Sequence, residues 1–132
     1  MAETRQPTSS AMRTGSVAVC AALYVAAFVM THLPPSRVPG GGWINDKVMH
    51  LAGYTGLGLA TLWALAMLSR RIVGGGVFFG AWLGMLGYAL FDEVTQPMVG
   101  RSFEWGDLAA DAAGAMVGLS LALLLVRRRS IR

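Results

Sequence analysis

The sequence predicts an all-α integral membrane protein, a bundle of about four transmembrane helices with both termini inside the cell. Two observations favour this class. Hydrophobic residues make up 55% of the 132 residues and charged residues only 14%, whereas soluble domains carry about 25% charged residues. The apolar residues also lie in long runs, and about 20 such residues span the roughly 30 Å hydrocarbon core of a bilayer.

Four apolar runs give the predicted helices, over residues 15–32, 46–68, 72–93 and 107–126. Pro34 and Pro35 stop the first helix. The second and third runs are separated by residues 69–71 alone, so these helices are predicted to form an antiparallel hairpin. Pro97 marks the end of the third helix, because proline lacks the backbone donor that a continuing helix needs.

A cleaved signal peptide is an alternative reading of the first run, since Arg5 and Arg13 precede it. No small-x-small cleavage site follows the run, so we expect the helix to be retained. Cys20 follows a valine, which makes a poor lipoprotein box. It is also the single cysteine of the chain, which excludes an internal disulfide.

Basic residues indicate the orientation. Eight of the eleven lie at the termini or in the 69–71 loop, which share one side of a four-helix bundle: Arg5, Arg13, Arg70, Arg71, Arg127, Arg128, Arg129 and Arg132. Arginine-rich short loops stay in the cytoplasm, so residues 1–14 and 127–132 are predicted to be cytoplasmic tails. Because the basic residues flank apolar runs, the net charge of +4 does not indicate a nucleic-acid partner.

Polar residues form pairs at the predicted outer ends of three helices. Each pair is spaced i, i+4 and therefore lies on one helix face. The pairs are Asp46 with His50, Asp92 with Gln96, and Asp107 with Asp111. An ionised carboxylate in hydrocarbon costs about 2.5–3.5 kcal/mol on insertion scales, so these side chains are predicted to converge inside the bundle.

Glycines continue two of these polar faces. Gly114 and Gly118 extend the face in the fourth helix, and Gly80 and Gly84 extend the face in the third. Small residues at four-residue spacing let helix backbones approach closely in lipid. All four glycines are therefore predicted to lie at packed helix interfaces.

The arrangement of the acidic residues suggests a binding site. Asp92 and Glu93 are adjacent and repel each other unless a cation or a proton lies between them. Arg101 is the predicted counter-charge, because its planar guanidinium can bridge two carboxylates. No resident cofactor is predicted, but a divalent cation is possible, with Glu93, Asp107, Asp111 and His50 as ligands. Oxygen-rich sets of this kind suit magnesium, calcium or manganese.

A purely structural explanation stays open for several positions. Asp107, and either Asp46 or Asn45, could act as helix N-caps, which satisfy free backbone donors and favour the positive end of the helix. A single histidine such as His50 is more often a hydrogen-bonded packing residue than a metal or substrate ligand. Glu104 is predicted to be a solvated loop charge.

These motifs resemble those of the VanZ-like family of small bacterial membrane proteins. The residues that carry the resemblance are Asp46-Lys47-x-x-His50, Asp92-Glu93-x-x-Gln96, Gly100-Arg101-Ser102-Phe103 and Asp107-Leu108-x-x-Asp111-x-x-Gly114-x-x-x-Gly118. The resemblance spans about residues 43–122 and departs from the family at Asp111, where asparagine is common. It implies a multi-pass protein of the bacterial cytoplasmic membrane whose site includes the polar residues of these motifs, Lys47 and Ser102 among them.

The resemblance implies a function at the cell envelope without naming a reaction. The founding member of the family is an accessory teicoplanin-resistance protein, so the expected partners are membrane lipids and a glycopeptide antibiotic or lipid-linked cell-wall precursor. Two alternatives stay open, an intramembrane metal-dependent enzyme acting on a lipid headgroup and a purely structural protein. No nucleophile–base pair is visible, so catalysis is not favoured.

Overall fold

The computed structural model describes residues 9–38, 44–69 and 73–130. Four long helices make up this part of the chain: α1 Ser10–Thr31, α2 Asp46–Leu68, α3 Gly75–Thr95 and α4 Trp105–Ser130. Short 3-10 turns, Pro35–Arg37 and Gln96–Val99, follow α1 and α3. All four long helices are apolar and long enough to cross a membrane, which confirms the predicted all-α class and the number of spans.

Three of the helices differ from the apolar runs that predicted them. α1 begins five residues earlier, where the Ser9 hydroxyl accepts a hydrogen bond from the Met12 backbone at 3.2 Å. α4 begins at Trp105 and continues to Ser130, into the predicted tail. α3 begins at Gly75 and reaches Thr95, while the predicted start at residue 72 lies outside the described residues. An apolar run identifies the part of a helix that can lie in lipid. The helix itself can extend beyond that run, because serine and arginine are also compatible with helical structure.

The closest approach between helices joins α2 and α4 along a line of glycines. A Cβ atom added to Gly118 would collide with the Thr55 carbonyl oxygen, and one added to Gly114 with that of Leu51. From the other helix, a Cβ on Gly58 would lie 2.8 Å from the Ala115 carbonyl oxygen. Backbones can meet at such short range only where side chains are absent. The predicted packing role of Gly114 and Gly118 therefore agrees with the structure.

The remaining helices pack around this pair. Met85 and Ala89 of α3 are buried in the core, and the Trp82 indole donates a hydrogen bond to the Ala112 carbonyl of α4 at 3.1 Å. α1 contributes no buried residue. It is joined to the bundle by polar contacts, including a bond of 2.9 Å between the hydroxyls of Tyr24 and Thr61.

Gly80 and Gly84 do not take part in this packing, contrary to the prediction. A Cβ atom added to either glycine would meet nothing within 4 Å. α3 turns a different face, the one that carries Trp82 and Met85, toward its neighbours. Four-residue spacing shows that two glycines share a face, but it does not show which face meets another helix.

We expect Gly118→Ala to lower the free energy of unfolding by about 1–3 kcal/mol, the usual cost of overpacking, because the new methyl group meets backbone that cannot rotate away. Gly84→Ala makes the same change in open space and should leave stability nearly unaltered. Equilibrium unfolding in mixed detergent micelles would compare the two. Equal stability of both variants would contradict the close contact between α2 and α4.

Candidate polar binding site

Six polar side chains are buried together where α3 ends and where α2 and α4 begin. We call them the polar cluster: His50, Asp92, Glu93, Gln96, Asp107 and Asp111, each at most 6% exposed. The alternating direction of the helices brings these ends to one side of the bundle. The structure thus places together all three predicted polar pairs except Asp46, whose side chain is about half exposed.

The centre of the cluster is a histidine–carboxylate pair between α2 and α4. The His50 ring donates from Nδ1 to Asp111 Oδ1 at 2.9 Å, and its Nε2 lies 4.0 Å from Asp107 Oδ2. His50 and Asp111 are both buried. His50 is therefore part of the site, and its hydrogen bond is to a carboxylate rather than to the backbone of its own helix.

Glu93 enters the cluster from α3 and is fully buried. Its Oε1 accepts from the Gln96 amide at 3.1 Å, and its Oε2 accepts from the Glu104 backbone N–H at 3.0 Å. Among the described residues, no basic side chain lies in ion-pair contact with Glu93. Each oxygen of this buried carboxylate therefore has one N–H donor among the described residues.

Asp92, the neighbour of Glu93, faces α1 instead. The Thr31 hydroxyl donates to Asp92 Oδ1 at 2.8 Å, and the Gln96 amide donates to Oδ2 at 3.4 Å. His32 Nδ1 lies 3.6 Å from Oδ1, and His32 Nε2 lies 3.0 Å from the Thr95 hydroxyl. The adjacent acids thus share the Gln96 amide, and their other partners differ: Thr31 for Asp92 and the Glu104 backbone N–H for Glu93.

The two basic residues of the motifs each pair with an acid. Arg101, the predicted counter-charge, contacts one carboxylate rather than two in the described residues: it donates to Asp46 Oδ2 at 3.1 Å and to the Leu33 carbonyl at 3.3 Å. Lys47 meets the cluster, since its Nζ lies 3.1 Å from Asp107 Oδ1. The same ammonium lies 2.8 Å from Glu104 and holds the pKa of that carboxyl below its usual range.

The capping explanation applies to Asn45 but not to the acids. Asn45 is the N-cap of α2, and its side-chain oxygen accepts from the Lys47 backbone N–H at 2.9 Å. Asp107 lies in the first turn of α4 rather than at the cap position before Trp105, and its carboxylate binds Lys47. Ser102, the remaining predicted site residue, is exposed and makes none of the described cluster contacts.

Two buried oxygens have no hydrogen-bond partner in the described part of the chain, Asp111 Oδ2 and the Tyr54 hydroxyl. Tyr54 is 3% exposed and lies one turn beyond His50 in α2. Tyr54 was not among the predicted site residues, although it continues the four-residue spacing from Asp46 through His50. His32 was not predicted either, and its signal was that both histidines of the chain lie at the predicted acidic end.

The possible cation ligands divide into two groups that share His50. One group is Asp46, His50 and Asp107, and the other is His50, Glu93 and Asp111. Within each group, ligand atoms from all three residues lie within 4.8 Å of one another. The second group is entirely buried, whereas Asp46 of the first group is exposed.

Fold and site together define a small multi-span membrane protein with a buried acidic and histidine cluster at one end of its helices. The chain belongs to the VanZ/LLP1 family, whose pattern it matches over residues 16–126. This match confirms the predicted family and covers most of the chain. No curated protein and no solved structure matches the sequence.

We expect Thr31→Val to lower the free energy of unfolding by about 1–3 kcal/mol, because it removes a donor from the buried Asp92 carboxylate. Thr55→Val is the matched control, since the Thr55 hydroxyl donates only to the Leu51 carbonyl of its own helix. Thermal melting of both variants in one detergent would show the difference. A control that melts as low as Thr31→Val would contradict the contact between α1 and α3.

Proposed function

We propose that the protein acts in the bacterial cytoplasmic membrane, with the polar cluster at the outer face, and lowers susceptibility to teicoplanin-type glycopeptides by binding the polar headgroup of a lipid-linked cell-wall precursor. Family membership supports the link to glycopeptide resistance. The binding role is supported by the polar cluster itself, in which Asp111 Oδ2 has no hydrogen-bond partner among the described residues.

A purely structural network would be expected to satisfy its own members. A buried polar atom without a partner costs about 1–3 kcal/mol, and the cluster holds this atom beside a second unpartnered group, the Tyr54 hydroxyl. Burying carboxylates without paired cations adds a further cost. Such costs are typical of sites that are completed by a ligand, because the ligand supplies the missing partners.

The charge distribution supports the outward orientation. The helix ends that carry the cluster lie opposite the 69–71 loop and the basic C-terminus, which the positive-inside rule places in the cytoplasm. With both termini inside, the cluster lies at the outer end of the bundle, next to the outer headgroup region. Lipid-linked cell-wall precursors present their polar part there, at the surface where glycopeptides act.

The orientation can be tested by cysteine labelling. In a Cys20→Ala background, Gly40→Cys should react with a membrane-impermeant maleimide added to intact spheroplasts, whereas Arg70→Cys should react only after lysis. The reverse pattern would overturn the orientation and move the cluster to the cytoplasmic face. Labelling of both positions from outside would contradict the crossing of the membrane by α2, which lies between them.

The function can be tested by teicoplanin susceptibility in a host that expresses the protein at matched levels. We expect the parent chain to raise the inhibitory concentration over an empty vector and Glu93→Gln to abolish that rise. Glu93→Gln should melt at or above the parent temperature, because it removes a buried negative charge that no basic side chain pairs in the described residues. Its amide oxygen can still accept from the Glu104 backbone.

Glu104→Gln provides the matched control, because it makes the same chemical change on a side chain that is about half exposed. It should keep the susceptibility phenotype of the parent. A parent chain that leaves susceptibility unchanged would contradict the proposed function. A Glu93→Gln variant with full effect would remove Glu93 from the site.

A further inference from the structure

We propose that His50, Glu93 and Asp111 bind one divalent cation of the manganese or zinc class, within the bundle and between α2, α3 and α4. Each of these three helices supplies one ligand, and all three side chains are buried. A cation at this position would also join the three helices at the end of the bundle where the cluster lies.

The spacing suits a metal ion. Donor atoms of the three residues lie within 4.8 Å of one another. Metal–ligand bonds to imidazole nitrogen and carboxylate oxygen are about 2.0–2.2 Å long, so two ligands of one ion lie up to roughly 4.4 Å apart. Three ligands of one ion lie mostly about 3–4 Å apart, so side-chain shifts of up to about 1 Å would bring the set into coordination distance. Glu93, which has three rotatable side-chain bonds, can make such a shift.

The unpartnered oxygens point to a missing ligand. Asp111 is fully buried and uses only Oδ1, which accepts from His50, while Oδ2 has no partner among the described residues. The Tyr54 hydroxyl, also without a described partner, follows one turn behind His50 and can contact a water molecule bound to the ion. A metal ion bound by Asp111 Oδ2, together with its coordinated water at the Tyr54 hydroxyl, would give both oxygens a partner.

The charge of the group also favours a cation. Glu93 accepts an N–H at each oxygen and has no described basic partner, and Asp111 has only His50. Two buried carboxylates are balanced by one divalent cation. The other group of possible ligands differs here, because Asp46 is already paired with Arg101 and Asp107 with Lys47. The structure therefore favours the group that contains Glu93 over the group that contains Asp46.

The ligand types select the metal. Carboxylate oxygens suit magnesium, calcium and manganese, whereas an imidazole nitrogen shifts preference toward transition metals and zinc. One imidazole with two carboxylates thus favours Mn²⁺ or Zn²⁺ over Ca²⁺ and Mg²⁺. Three protein ligands leave coordination positions for water or for a phosphate oxygen. That phosphate would belong to the headgroup of the precursor, a step that rests on the proposed function.

The test is metal binding by the full chain, purified in detergent and freed of metal with a chelator. Titration with Mn²⁺, followed by the loss of the free-ion electron paramagnetic resonance signal, should show one site per chain, and Zn²⁺ should compete for it. Glu93→Gln and Asp111→Asn should each weaken binding by at least about tenfold, the lower end of the loss seen even for outer-shell partners. Circular dichroism and gel filtration would verify that each variant is folded.

Two control variants make the result specific. Glu104→Gln removes an exposed carboxylate near the site and should bind Mn²⁺ like the parent. Asp46→Asn removes a ligand of the other group and should also bind like the parent. No Mn²⁺ or Zn²⁺ binding by the parent would overturn the proposal. Loss of binding in Asp46→Asn with retention in Glu93→Gln would overturn it as well, since the site would then be the other group.

The metal site and the proposed function can fail separately, because metal binding is measured without substrate or antibiotic. Metal binding by a chain that leaves teicoplanin susceptibility unchanged would support the site and contradict the function. A susceptibility effect in the parent without metal binding would overturn the site and leave the function standing. Both measurements include Glu93→Gln and Glu104→Gln, so the two results can be compared at these residues.

Discussion

The backbone contact between α2 and α4 is the constraint on which the site depends. Gly114 lies directly against the Leu51 carbonyl, and Leu51 follows His50 in α2. Asp111 is less than one turn before Gly114 in α4, so the same contact brings its carboxylate to 2.9 Å from the His50 ring. A side chain at position 114 would separate the helices and with them this pair. The glycines and the polar pair are therefore two parts of one interface.

The acids of the site differ in whether a basic side chain pairs with them. Lys47 and Arg101 have long, flexible side chains, which can keep their charged ends near water while their stems lie along apolar surface. They pair with Asp107 and Asp46, close to the helix starts. Glu93 is fully buried and is held by N–H donors alone in the described residues. Asp46 and Asp107 thus have basic partners, whereas Glu93 and Asp111 depend on neutral donors and on His50.

Sequence periodicity predicted the helices and the faces that carry the polar pairs, because both follow from spacing within one helix. Contacts between helices were predicted less well. Gly80 and Gly84 share a face, but the rotation of α3 leaves that face unpacked. The partner of Arg101 depends on the turn at Gly100, whose φ of +79° favours glycine. This turn places Arg101 near the Leu33 carbonyl, a contact that spacing along the chain does not encode.

The end of α1 shows why such contacts matter for the site. α1 has no fully buried residue, and Tyr24 and Ala27 are its described side chains that pack against the core. Its last turn nevertheless supplies the Thr31 hydroxyl to Asp92, and His32 follows immediately beside it. Without α1, Asp92 would keep only the long bond from Gln96 as a side-chain donor. In lipid no water replaces a lost donor, so the Thr31 hydroxyl matters for the Asp92 carboxylate. The first helix is thus joined to the bundle at two levels, through Tyr24 against the core and α2 and through Thr31 at the site.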